Sequence, residues 1–194
     1  MAQPDTLDAV LADALDRLEE GARNRKNAMH LPVVATADAD ARVMVLRHVD
    51  REARALRFHT DLRAPKVAAL AADPRIGLLA YDPEAHVQLR MRGEGRIERD
   101  GAEVEEAWGA SSNFARRCYL APHPPSSAHG APLPNLPEDV RDAEPDPARL
   151  EEEARANFAI LKVRLDEIDW FSLAHDGHRR ALWRREGQST WLAP

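Results

Sequence analysis

Three residues suited to binding an anion stand close together where an extended run gives way to a helix. Thr60, Arg63 and Lys66 occur in the stretch FHTDLRAPK, and Pro65 suits the first turn of a helix over 65–72. A helix start offers unpaired N–H groups and a partial positive charge. With a hydroxyl and two cations beside it, such a start makes a phosphate cradle. The competing reading is a solvated basic turn. Upstream, Arg42 and Arg47 bracket Val43-Met44-Val45-Leu46. Residues an odd number apart on a regular strand face opposite sides, so these two serve one ligand only if the strand twists, bulges or ends beside it. Otherwise both reach solvent from strand ends. Gln88 carries an amide that both donates and accepts, which suits the polar edge of a heterocycle. It equally suits an outward-facing strand position.

Other reactive residue types lack the company they need. His175 and His178 form an HxxH with no third ligand at a recognisable spacing, and His123 and His129 fall in a proline-rich stretch, so no metal site is expected. Ser111-Ser112 and Ser126-Ser127 have no nucleophile-elbow context. Cys118 follows Arg116 and Arg117, which would lower its pKa, but a plain buried cysteine is the expectation. Trp170, Trp183 and Trp191 are assigned to packing or to a subunit interface.

The elements that must position these groups are strands with short connections. The alternation predicts about seven strands, drawn from 31–37, 42–49, 54–60, 76–81, 86–97, 158–168, 179–185 and 189–192. Gly93 and Gly95 signal a bulge or a close backbone approach. Helices are predicted over 5–22, capped by Asp5 or Thr6 and ended by Gly21, and over 65–72, 102–110, part of 114–120 and 150–156. Residues 121–149 are too rich in proline for a regular helix or central strand, and part of them is expected to be mobile. Sequential antiparallel strands without regular βαβ alternation predict one mainly β, α+β domain over 1–194, a barrel-like or sandwich sheet with peripheral helices. No GxGxxG follows a strand, which disfavours a Rossmann fold. The 27 Lys and Arg against 33 Asp and Glu give a net charge of −6, which argues against a general nucleic-acid binder. A single cysteine excludes an intrachain disulfide and permits a reducing cytoplasm. No signal peptide and no membrane helix are expected.

Taken together, these stretches resemble the pyridoxamine 5′-phosphate oxidase-like family of FMN-binding split barrels. RVMVLR is similar to the family's strand with Arg at its start and Lys or Arg at its end, and FHTDLRAPK to its phosphate turn. HVQLRMRGEGRIE resembles the strand that puts Gln88 in the flavin-contacting place, and LDEIDWFSLAHDGHRRALWRREGQSTWLAP the C-terminal pattern ending in LAP. The likeness runs over residues 30–194 and is weakest at 100–157. It implies an antiparallel FMN-binding split β-barrel and a cytoplasmic homodimer with FMN sites at the subunit interface. The implied activity is an FMN-dependent oxidoreductase on a small molecule, without nucleic-acid or membrane partners. Arg42, Thr60, Arg63 and Lys66 would hold the FMN phosphate, with His59 beside Thr60. Val43, Val45 and Leu46 would belong to the cofactor site. Arg47 and Gln88 would contact the isoalloxazine ring or the substrate beside it, with His178 also on the substrate side. Phe171 and Arg180 would come from the partner subunit.

The departures bear on the substrate. Ala64 stands where the family often has Ser, and Pro65 replaces a basic residue of the true oxidase. In Asp176-Gly177-His178-Arg179-Arg180, Asp176 replaces an Arg that faces the vitamin B6 substrate, and a carboxylate there repels a phosphorylated ligand. The middle segment has no clear equivalent of the oxidase's Tyr, Arg and Ser clamp, for which Arg116, Arg117 and Tyr119 are the available substitutes. The resemblance therefore implies an FMN cradle facing a substrate other than pyridoxamine 5′-phosphate. The genuine oxidase and a non-catalytic flavin-binding or sensor protein are the alternatives.

Overall fold

Helix α1 spans Leu7–Arg23, and Thr6 caps it by accepting from Ala9 N at 3.2 Å. Its Val10, Ala14, Leu15 and Leu18 face the core. The predicted end at Gly21 is corrected: the helix runs on, and Gly21 serves a close approach, since a Cβ there would lie 2.7 Å from the Met29 carbonyl carbon. The computed structural model describes residues 4–175 and 177–194, so the reading of Asp176 falls outside the described residues.

Among the described residues nine strands follow: β1 Val33–Thr36, β2 Ala41–Val43, β3 Leu46–Asp50, β4 Ala55–Asp61, β5 Arg75–Asp82, β6 Val87–Glu98, β7 Phe158–Ser172, β8 Arg179–Arg184 and β9 Thr190–Leu192. Helices α2 (Pro65–Ala72) and α3 (Ala102–Gly109) match their expected places. Every pairing is antiparallel, in the order β2-β1-β5-β6-β7-β4-β3, with β8 on β7 and β9 on β8. β2 and β3 lie at opposite ends of that path, yet only Met44 and Val45 separate them in sequence. The sheet must therefore roll until its ends meet, which makes a barrel split at this seam. The single strand predicted over 42–49 is thus two strands. Met44 is buried at the crossing, and its N–H donates to Pro32 O at 3.1 Å.

Strand β7 extends four residues beyond its predicted end at Ile168, reaching Ser172, and serves two partners on one edge, β4 along its first half and β8 along its second. Its alternation separates two cores. Leu161, Val163 and Leu165 join the barrel core with Phe58, Leu89 and Met91. Phe158 and Ile160 join a second core with Val104, Trp108, Tyr119, Val140 and Leu150. The proline-rich segment thus supplies a buried anchor, Val140, through short turns rather than long helices. The helix predicted over 150–156 is present, in two non-α forms: a π-helix over Leu150–Ala154 and a 3-10 helix over Arg155–Asn157. The expected glycine device is present in β6. Register against β7 slips between Arg92 and Gly93, and a Cβ on Gly93 would meet Arg164 O at 1.9 Å. Among the described residues no helix is long and apolar enough to cross a membrane.

Candidate functional site

The seam between β2 and β3 opens into a cleft of about 370 Å³, a size that suits a cofactor or small ligand. One wall is Arg42, Val43, Met44, Val45 and Arg47 from the seam, with His59, Thr60 and Asp61 from β4 and Ala64 and Lys66 at the start of α2. The break at Met44–Val45 resets the strand alternation, and the β3 register also shifts between Leu46 and His48. Arg42 and Arg47 therefore line one cleft despite their odd spacing. Leu46 is fully buried in the barrel core and does not line the cleft.

The charges in this cleft are unbalanced. Lys66 Nζ donates to the buried Thr60 hydroxyl at 3.2 Å. Burial, followed by the nearby Arg42 charge, pushes the Lys66 amine below its ordinary pKa. Arg42 donates to Thr36 Oγ1 at 3.1 and 3.2 Å and pairs with the exposed Asp40. Arg47 makes no ion pair within reach of any carboxylate among the described residues. Among the described residues Asp61 is the only carboxylate in the lining, and Arg63 already holds it with bonds of 3.0 and 2.6 Å. Arg63 also donates to Ala121 O at 2.8 Å, so it braces the turn and does not line the cleft. The start of α2 has no side-chain cap and no acidic residue in its first turn. Burial, then Arg47 and Arg57, lower the His59 pKa to about 4, so this imidazole is neutral near pH 7. A hydroxyl, an ammonium, a guanidinium and an uncapped helix start converge as phosphate binding requires.

The opposite wall is Ser111, Ala115, Cys118, Tyr119 and Pro125, none of which stood out in the sequence as a cofactor ligand. Phe158 holds this wall against β4: its ring centroid lies 5.1 Å from His59 and 5.2 Å from Tyr119. Asn157 adds a bond from Nδ2 to Tyr119 O at 2.9 Å. The expectation of a buried Cys118 is corrected: part of the residue is exposed at the cleft surface, while desolvation by the protein packed around it, then the Asp61 charge, pushes its thiol pKa up. Of the substitutes considered for a substrate clamp, only Tyr119 faces the cleft. Arg116 is spent on Trp108 O and Gly109 O, and Arg117 on Val140 O and Arg141 O.

Gln88, Phe171 and Arg180 lie elsewhere. They are successive partners in one cross-strand row, Tyr81–Gln88–Phe171–Arg180–Leu192, on the outer face of the sheet. None lines the cleft of its own chain. Their alternation marks the face: Leu89 and Trp170, one residue away, are buried in the barrel core. His178 is exposed, with its ring 5.8 Å from Phe171. Val43 links the two regions, since it lines the cleft and also pairs with Val33 of the outer face.

The family profile described as pyridoxamine 5′-phosphate oxidase matches residues 18–131, more than half of the chain. A pyridoxine/pyridoxamine 5′-phosphate oxidase of Gluconobacter oxydans (strain 621H) is 29% identical over 191 residues, covering 92% of this chain and 88% of that protein. A protein of the same name from Kineococcus radiotolerans is 34% identical over 125 residues, 62% of this chain and 53% of that one. Among solved structures, a pyridoxamine 5′-phosphate oxidase-related, FMN binding protein from Nostoc punctiforme PCC 73102 aligns over 100% of both chains, with TM-score 0.72 and 24% identity. PhzG from Burkholderia lata 383, in complex with tetrahydrophenazine-1-carboxylic acid, aligns over 99% of this chain and 95% of that one, with TM-score 0.64 and 20% identity. At those identities the structures share the fold, and the profile match carries the family: the chain belongs to the pyridoxamine 5′-phosphate oxidase family.

Proposed function

We propose that this protein is an FMN-dependent oxidoreductase that works as a homodimer on a small molecule. One observation carries the reading: Arg42, Arg47, Lys66 and the buried Thr60 share a cleft in which the only carboxylate among the described residues is already paired. That donor set fits the phosphate of FMN, which carries a charge near −2. Thr60, Lys66 and Arg42 would hold the phosphate, with Arg63 bracing the turn. Neutral His59 can add a hydrogen bond there without adding charge. Bound FMN would supply hydride and electron transfer at its ring, while the chain binds, orients and excludes water. Arg47 remains for the ring or the substrate. The cross-strand row shared by Gln88, Phe171 and Arg180 supports the reading that all three would complete the partner's cleft. Val43, which joins cleft and outer face, supports that arrangement.

The visible spectrum of the purified protein, followed by an FMN titration of the flavin-free form, tests this reading. Flavin absorption and saturable uptake are expected, and a colourless protein that takes up no FMN overturns it. A second reading, oxidation of pyridoxine 5′-phosphate itself, is favoured by the Gluconobacter relative aligned along nearly the whole chain. The engagement of Arg116 and Arg117 with backbone carbonyls speaks against it, because the clamp then lacks an arginine. Turnover of pyridoxine 5′-phosphate by the FMN-loaded protein decides between the two.

A further inference from the structure

On the outer face, Asp169 of β7 lies between Arg90 of β6 and Arg180 of β8, and its relative exposure is only 9%. Arg180 donates from Nε to Oδ1 at 3.0 Å and from Nη2 to Oδ2 at 2.8 Å. Arg90 donates to Oδ2 from Nε at 3.2 Å and also from Nη2. A carboxylate this covered needs such partners. Burial alone would raise its pKa, but the hydrogen bonds and charges of Arg180 and Arg90 outweigh burial and hold the carboxyl below its ordinary value. The Arg180 guanidinium also sits 5.7 Å from the centroid of the Phe171 ring. Two neighbours thus fix a long side chain that would otherwise sample many rotamers. Asp169 takes up one edge of the guanidinium, Nε and Nη2, and leaves Nη1 without a hydrogen bond among the described residues. Two arginines around one carboxylate leave this part of the face cationic.

We propose that Asp169 is a positioning residue that locks the rotamer of Arg180 and presents its Nη1 edge to the partner subunit's cleft, with Arg90 holding Asp169 in place. The proposal rests on the reading of Arg180 as a cofactor contact made across the dimer. A plain ion-pair staple between β6, β7 and β8 would act on stability alone, whereas a positioning group acts on the flavin.

The test compares the full-length wild type with Asp169→Asn, Asp169→Glu, Arg180→Ala and the double variant Asp169→Asn/Arg180→Ala. FMN affinity, flavin midpoint potential, dimer mass and melting temperature are read for each. Asp169→Asn is expected to stay dimeric, to lose about tenfold in FMN affinity and to move the potential to a more negative value. It should add nothing in the Arg180→Ala background, and Asp169→Glu should recover most of the affinity. A second substitution, Asp169→Ser, is read the same way if the asparagine variant does not fold. Unchanged affinity and potential, additive losses in the double variant, or a change in melting temperature alone would overturn the positioning role while FMN binding by the wild type stands. A wild type that takes up no FMN overturns the function and this role together.

Discussion

At the scale of single residues, Lys66 is the clearest indicator of what the cleft binds. Its half-buried ammonium is held near Arg42, with one neutral hydroxyl as its hydrogen-bond partner among the described residues. A bound dianion would relieve that strain. Lys66→Ala is therefore expected to weaken FMN binding by about ten- to a hundredfold. Arg54→Ala should change it by less than about twofold, because Arg54 precedes the far end of β4 and stacks on Trp183 at 4.9 Å. Equal affinities in a fluorescence titration would remove the cradle. His59 gives a second prediction, about pH. Its folded pKa of about 4 lies below the ordinary 6.5, so its contribution to stability is complete above pH 6.5 and is lost as pH falls toward 4. That contribution is at most about 3 kcal/mol. Urea midpoints of the flavin-free protein should fall through this window, and His59→Gln should flatten the slope. Parallel slopes would mean that His59 titrates normally. The cation cluster at Thr60, Arg63 and Lys66 was legible because a hydroxyl, two cations and a proline before a helix stand together in sequence. The roles within it were not. Only the fold shows Arg63 turned onto Asp61 and Ala121, or Tyr119 brought in by its packing on Phe158.

At the scale of elements, the strand predicted over 42–49 shows what periodicity misses. Apolar residues continue through Met44 and Val45, so nothing in the pattern marks the place where the chain leaves one sheet edge for the other. The break is tertiary in origin, and it is what allows Arg42 and Arg47 to face one cleft. Gly93 is the opposite case, a feature the sequence announces. A side chain there collides with the Arg164 carbonyl of the neighbouring strand, and backbone on both sides resists the shift. Gly93→Ala is expected to cost about 3 kcal/mol or more, or to prevent folding. Gly77→Ala, in adjacent β5 with no atom within 4 Å of the added Cβ, should stay within about 1 kcal/mol of wild type. Denaturant unfolding of both variants checks the contrast, and similar losses would remove the close approach as the reason for glycine.

At the scale of the whole molecule, strand types were readable but their order was not, because pairing β6 with β7 spans the whole α3 and proline-rich region. That order creates a face no strand pattern could reveal. Val43, Val33 and Leu79 align across β2, β1 and β5, and they are 59, 37 and 40% exposed. Tyr81, 41% exposed, heads the row that contains Gln88, Phe171 and Arg180. Contiguous exposed apolar residues of this kind mark an interaction surface, and here the surface runs to the rim of the cleft through Val43. On the proposed dimer, Leu79→Arg is expected to give a folded monomer by light scattering, with FMN affinity reduced at least about tenfold because Gln88, Phe171 and Arg180 would no longer reach a partner's cleft. Leu133→Arg, at a comparably exposed leucine in the proline-rich segment, should leave both mass and affinity unchanged. A Leu79→Arg protein that stays dimeric would place the interface elsewhere. A monomer with full affinity would confine the FMN site to one chain and leave Gln88, Phe171 and Arg180 without a role in it.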